Sequence, residues 1–152
     1  MKIDNSVIRK VIGVLIAPWL YIVVWTVPAL EHSELQKWVV INTFFAYVVF
    51  LAFAGISHLV LKKLNATNMW SYCAVMFVVA VTLDIALSLW LLSGYTSSYY
   101  SQTLVVEYGS ITAAGYMLLL KDALINGIIS SGVMAIFWFV SIFKQSSKVI
   151  NA

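Results

Sequence analysis

Four long apolar segments alternate with short polar ones along this chain. The apolar segments cover residues 11–30, 38–61, 70–94 and 122–143. Each is close to the roughly 20 residues that an α-helix needs to cross the hydrocarbon core of a bilayer. The pattern predicts an all-α integral membrane protein, a four-helix bundle that forms a single transmembrane domain over residues 1–152.

The first apolar segment follows a cationic start, which is also typical of a signal peptide. It is as long as a complete span, however, and it contains the bulky residues Trp19 and Trp25. We therefore expect a retained helix. Pro18 lacks a backbone N–H and should kink this helix, and Pro28 should mark its outer end.

The composition agrees with a membrane location. Of the 152 residues, 62% are hydrophobic and only 10% are charged, whereas a soluble domain usually has about 25% charged residues. The single cysteine, Cys73, excludes an internal disulfide and a thiolate metal cluster. No run of Lys or Arg is long enough to follow nucleic-acid phosphates.

The basic residues are unevenly distributed over the predicted connections and termini. Seven of the nine fall on the side that holds both termini, namely Lys2, Arg9, Lys10, Lys62, Lys63, Lys144 and Lys148. Because membrane proteins keep Lys and Arg in their cytoplasmic loops, this distribution predicts cytoplasmic N- and C-termini. We expect a multi-pass protein of the cell inner membrane.

Residues 96–121 form a long polar and aromatic segment between the third and fourth spans, on the predicted outer side. This segment can form a surface loop, an interfacial helix over Ile111–Leu120, or an outward extension of the last helix. The interfacial helix is the preferred expectation, although Thr103–Val106 is β-prone. The segment carries a candidate outer interaction surface, which consists of Tyr99, Tyr100 and Tyr108.

Small residues recur every four positions along the fourth span. This candidate helix-packing stripe consists of Ala123, Gly127, Ser131 and Ala135. Because helices in lipid associate through close backbone approach and buried polar contacts, we expect the stripe to face the third span.

Asp84 lies near the middle of the third span, ten positions before Gly94 and so roughly 15 Å from that end. Helix lengths place no Lys or Arg at this depth, but they do place Ser131, Ser130 and Tyr47 there. These four residues form the candidate intramembrane polar site. Three interpretations stay open: a protonated structural acid hydrogen-bonded across helices, a proton or cation site in a transport path, or a partner for a group on another subunit.

The sequence contains no recognisable catalytic motif and implies no cofactor or metal site. His58 has no second ligand at helical spacing, so it is expected to hydrogen-bond water or backbone at the interface. The leading expectation is a non-enzymatic protein that acts by helix and outer-loop contacts with another membrane protein, as an accessory subunit or an immunity- or exclusion-type factor. The alternative is a small oligomeric proton- or cation-coupled transporter or channel centred on Asp84.

Overall fold

The chain is mostly helical in a computed structural model, which describes residues 5–27, 35–100 and 102–143. The helices are α1 (Asn5–Ile16), α2 (Trp19–Thr26), α3 (Leu35–Lys63), α4 (Met69–Leu92) and α5 (Ala113–Ser141). Pro28, which was expected to end the first span, lies outside the described residues, as do Lys2, Lys144 and Lys148.

Four helical stretches are long and apolar enough to cross a membrane. They are Val7–Thr26, Val39–Lys63, Met69–Leu92 and Ala113–Ser141. Many large apolar side chains on these helices are exposed on the protein surface, such as those of Phe44, Ile56 and Trp90. Apolar side chains facing outward suit a lipid environment, and together these features indicate a multi-pass membrane protein.

The first span is broken at Pro18, as its sequence predicted. α1 ends at Ile16 and α2 begins at Trp19, with a turn at Ala17 and Pro18 between them. Proline cannot donate the backbone hydrogen bond that would continue the helix.

Residues 1–76 and 129–152 form one compact unit, and residues 77–128 form a second. The first unit contains the main cluster of buried side chains, which are Ala17, Phe50, Ala54, Leu61, Tyr72, Met76, Val133, Met134, Phe137 and Ile142. The rings of Phe50 and Phe137 meet edge to face at 5.6 Å. Gly13 allows α1 to approach α5, because a Cβ atom there would collide with the Ser141 hydroxyl.

The second unit contains a three-stranded antiparallel sheet, so the expectation of an all-α protein was wrong in this segment. The strands are β1 (Ser98–Tyr100), β2 (Thr103–Glu107) and β3 (Ser110–Ile111), and they lie in the order β1-β2-β3. Val105 and Val106 are buried in β2, which agrees with the β-propensity of this stretch.

The expectation of a separate interfacial helix over Ile111–Leu120 was also wrong. α5 runs without interruption from Ala113 to Ser141, so most of that stretch is an extension of the last span, one of the other folds considered. Gly115 lies in the first turn of α5 and does not interrupt this helix.

Gly127 of α5 lies in close contact with α4 inside the second unit, and Ala123, one turn before it, is fully buried. A Cβ atom at Gly127 would lie 2.7 Å from a methyl carbon of Val81 and 2.9 Å from the ring of Phe77. Glycine at this position therefore sets how closely the two helices approach.

We predict that Gly127→Leu lowers the free energy of unfolding in detergent by about 1–3 kcal/mol, because the added side chain overpacks the contact with Phe77 and Val81. Ile128→Ala is the matched control, since Ile128 is exposed and should tolerate truncation. Equal thermal stability of the two variants would show that Gly127 does not limit the approach of α4 and α5.

Candidate functional site

Asp84 is hydrogen-bonded to Asn126 in the second unit. The Asn126 Nδ2 atom of α5 donates to Asp84 Oδ2 of α4 at 3.2 Å, and both residues are half-buried. Buried polar side chains in membrane helices commonly bond across a helix pair. Asn126 was not predicted from the sequence as a partner of Asp84.

The position of Asn126 follows from where α5 begins. The depth of Asp84 was matched to Ser130 and Ser131 by counting inward from residue 122, whereas α5 begins at Ala113. Asn126 lies five positions before Ser131, which corresponds to roughly 7.5 Å along a helix. The error is therefore one of helix register, and it came from placing the start of the last span too late.

The Asn126 Oδ1 atom is buried and has no hydrogen-bond partner among the described residues. A buried acceptor without a partner costs about 1–3 kcal/mol. An ionised carboxylate only accepts hydrogen bonds, whereas a protonated one can also donate. The Asn126 Oδ1 atom beside Asp84 can therefore accept one additional hydrogen-bond donor.

Two other members of the predicted polar site, Tyr47 and Ser131, have partners within the first unit. The Tyr47 hydroxyl donates to the Leu15 carbonyl at 2.6 Å, next to the break at Pro18. The Ser131 hydroxyl donates to the Cys73 carbonyl at 3.1 Å. These two hydroxyls join helices within that unit, and Ser130 is half-buried there.

A second candidate site lies on the β-sheet, at the two-residue turn between β2 and β3. Tyr108 and Gly109 both have positive φ, at 49° and 77°, as in a type I′ turn. The first position of such a turn usually holds Asn, Asp or Gly, and positive φ is unfavourable for a bulky side chain. The Tyr108 side chain is nevertheless 93% exposed, so packing within the chain does not explain why tyrosine stands here.

An open groove of about 580 Å³ lies beside this turn. Its lining residues are Thr96, Ser97, Tyr99, Leu104, Glu107, Tyr108 and Gly109. Consecutive residues of a strand point to opposite faces, so Tyr100 is placed on the other face of β1 from Tyr99. The structure thus brings together two of the three predicted surface tyrosines, Tyr99 and Tyr108, around one groove.

Thr112 fixes the sheet to the start of α5. Its hydroxyl donates to the Leu104 carbonyl at 2.7 Å and accepts from the Gly115 amide at 2.9 Å, as an N-cap residue does. The Thr112 amide donates to the Val105 carbonyl at 2.9 Å. A Cβ atom on Gly115 would lie only 2.5 Å from that carbonyl oxygen, so glycine is required for this close approach.

His58 and Tyr72 form a polar pair that was not predicted from the sequence. The His58 Nδ1 and Tyr72 hydroxyl atoms lie 2.6 Å apart, and Tyr72 is fully buried. His58 was expected to bond water or backbone, whereas its Nδ1 atom pairs with the side chain of Tyr72. The signal for the pair was a lone tyrosine in the first turn of α4, just across the short connection that follows Lys62 and Lys63.

Among the residues that the structure describes, no group of three His, Cys, Asp or Glu side chains could hold a metal ion. Comparisons with protein-family models, with curated protein sequences and with solved structures found no match to this chain. The Asp84–Asn126 pair and the tyrosine-lined groove are the two candidate functional sites among the described residues.

We predict that Asp84→Asn leaves the free energy of unfolding unchanged or raises it, because a second amide can accept from Asn126 and donate to its unpartnered oxygen. Asp84→Leu should cost about 0.6–1.7 kcal/mol, as measured for hydrogen bonds between membrane helices. Unfolding titrations in detergent would measure both values.

The double variant Asp84→Leu with Asn126→Leu is the control. It removes both polar groups together and should recover part of the loss, since no unpaired amide remains. An Asp84→Asn protein as unstable as Asp84→Leu would contradict this account of the pair.

Proposed function

We propose that this chain is a non-enzymatic inner-membrane protein with both termini in the cytoplasm. It binds another membrane protein through its helices and through the tyrosine-lined groove on the outer side, as an accessory subunit or an immunity- or exclusion-type factor. The observation that carries the proposal is Tyr108, a bulky residue with positive φ whose side chain is almost completely exposed.

A residue with a strained backbone suggests a function when its side chain does not stabilise the fold by packing within the chain. A non-glycine residue with positive φ costs about 1–3 kcal/mol, and Asn in place of Tyr108 would relieve part of that cost. Tyrosine is enriched in protein interfaces because its ring supplies a large contact area and its hydroxyl a hydrogen bond. Tyr108 therefore suits recognition of a partner better than it suits the turn.

The groove favours a partner segment with an apolar anchor. Tyr99 and Leu104 contribute apolar surface to it, while Glu107 adds a carboxylate at its side. An aliphatic or aromatic side chain could enter between the tyrosines, and a basic or hydroxyl group beside it could meet Glu107. The hydrogen bonds of Thr112 support this surface, since they hold the neighbouring strand β2 on α5.

The alternative function is a small proton- or cation-coupled transporter or channel centred on Asp84. The observation that favours it is the buried Asn126 Oδ1 atom, which has no partner among the described residues. Intramembrane acids often mark ion and proton paths. Four helices rarely enclose such a path alone, so this function requires several copies of the chain.

We predict that Tyr108→Asn keeps or raises the free energy of unfolding, by up to about 1 kcal/mol, because Asn-Gly suits a type I′ turn better than Tyr-Gly. The same substitution should reduce copurification of the bound membrane protein about tenfold or more, the loss expected when a central interface residue is truncated. Quantitative mass spectrometry of detergent-solubilised native membranes would measure the copurified partner.

Tyr100→Asn is the matched control, since Tyr100 is exposed on the same sheet but does not line the groove. It should leave copurification nearly unchanged. The proposal fails if Tyr108→Asn unfolds the protein, which would make the residue structural, or if both variants retain the partner equally.

A further inference from the structure

Most of the described bases of the first unit lie at two helix ends. The three acids that the structure describes, Asp84, Glu107 and Asp122, all belong to the second unit. The described bases of the first unit are Arg9, Lys10, Lys37, Lys62 and Lys63. Four of these five lie at the start of α1 or at the end of α3, which groups four positive charges at these helix ends.

Four helix ends meet where these bases lie. The Arg9 Nε atom donates to the Val140 carbonyl at 3.0 Å, which joins the start of α1 to the end of α5. The Trp138 indole donates to the Thr67 carbonyl at 2.8 Å, which joins α5 to the connection between α3 and α4. His58 of α3 bonds Tyr72 of α4 across the same end.

Lys62 lies one helical turn after His58 on α3. Lys10 is half-buried and lies one turn before Val14 on α1, a residue that packs against the buried cluster of this unit. When the Tyr72 hydroxyl donates to Nδ1, the neutral ring carries its proton on Nε2 and keeps a donor there. The Arg9 side chain, by contrast, already donates to a backbone carbonyl.

We propose that Lys10, Lys62 and His58 form a binding site for a phosphate group, and that its source is the headgroup of an anionic membrane lipid. Two ammonium groups and a ring N–H match the charge and the acceptor oxygens of a phosphate. Basic pockets between membrane helices on the cytoplasmic side bind anionic headgroups in this way. The site does not depend on what the tyrosine-lined groove binds.

Exposed apolar side chains at the same helix ends favour a lipid over free phosphate. Leu59 follows His58 directly and is 68% exposed, and Trp70 in the first turn of α4 is 76% exposed. Tryptophan gathers at the boundary between headgroups and acyl chains. A phospholipid could contact the charged cluster with its headgroup and these side chains with its acyl chains.

Lys63 provides the matched control. It is exposed like Lys62 and lies in the same last turn of α3, but it points about 100° further round the helix. A diffuse surface potential would depend equally on both lysines, whereas a defined site depends on Lys62.

Binding to the full chain in detergent can be measured by native mass spectrometry, with phosphatidylglycerol, phosphatidylcholine and inorganic phosphate as probes. We expect one phosphatidylglycerol to bind with clear preference over phosphatidylcholine. Lys10→Gln and Lys62→Gln should each weaken that binding about fivefold, while Lys63→Gln should change it less than twofold.

Equal losses in Lys62→Gln and Lys63→Gln, or no preference for phosphatidylglycerol, would overturn the site. Inorganic phosphate that binds through the same residues as tightly as the lipid would overturn the assignment to a membrane lipid. Lys10 is half-buried. If Lys10→Gln does not fold, the comparison of Lys62→Gln with Lys63→Gln is sufficient to test the site.

Discussion

The hydrogen bonds of Thr112 are the interaction on which the proposed partner-binding surface depends. A three-stranded sheet with strands of three, five and two residues is marginal by itself. Thr112 bonds the carbonyls of Leu104 and Val105 while it caps α5, so the sheet and the helix stabilise each other. Gly115 permits this contact because a side chain there would meet the Val105 carbonyl.

The contact between the sheet and α5 explains how the turn between β2 and β3 can hold an unfavourable residue, Tyr108. The cost of a tyrosine with positive φ is tolerated only where the surrounding structure determines the backbone. The Gly109 amide also bonds the Thr96 carbonyl at 3.0 Å, which ties the turn to the chain before β1. The backbone of the turn at Tyr108 is therefore held in place, and little backbone entropy has to be lost when a partner binds.

Four spans and the break at Pro18 could be predicted from the sequence, because hydrophobic length and the missing proline N–H act locally. The sheet could not, since it depends on the burial of Val105 and Val106 in the folded chain and on the hydrogen bonds of Thr112 to β2. The partner of Asp84 was missed for a related reason. The depth of this partner, Asn126, depends on where α5 begins, and the start of α5 is set by the bonds of Thr112 to β2.

The central claim is that Tyr108 contacts a different membrane protein, and site-specific photo-crosslinking in living cells tests it most directly. A photoreactive phenylalanine derivative would replace Tyr108 in one variant and Tyr100, which lies outside the groove, in another. The account predicts a covalent adduct with a second membrane protein from position 108 and much less from position 100. Adducts at position 108 that contain only further copies of this chain, or equal yields from both positions, would contradict it.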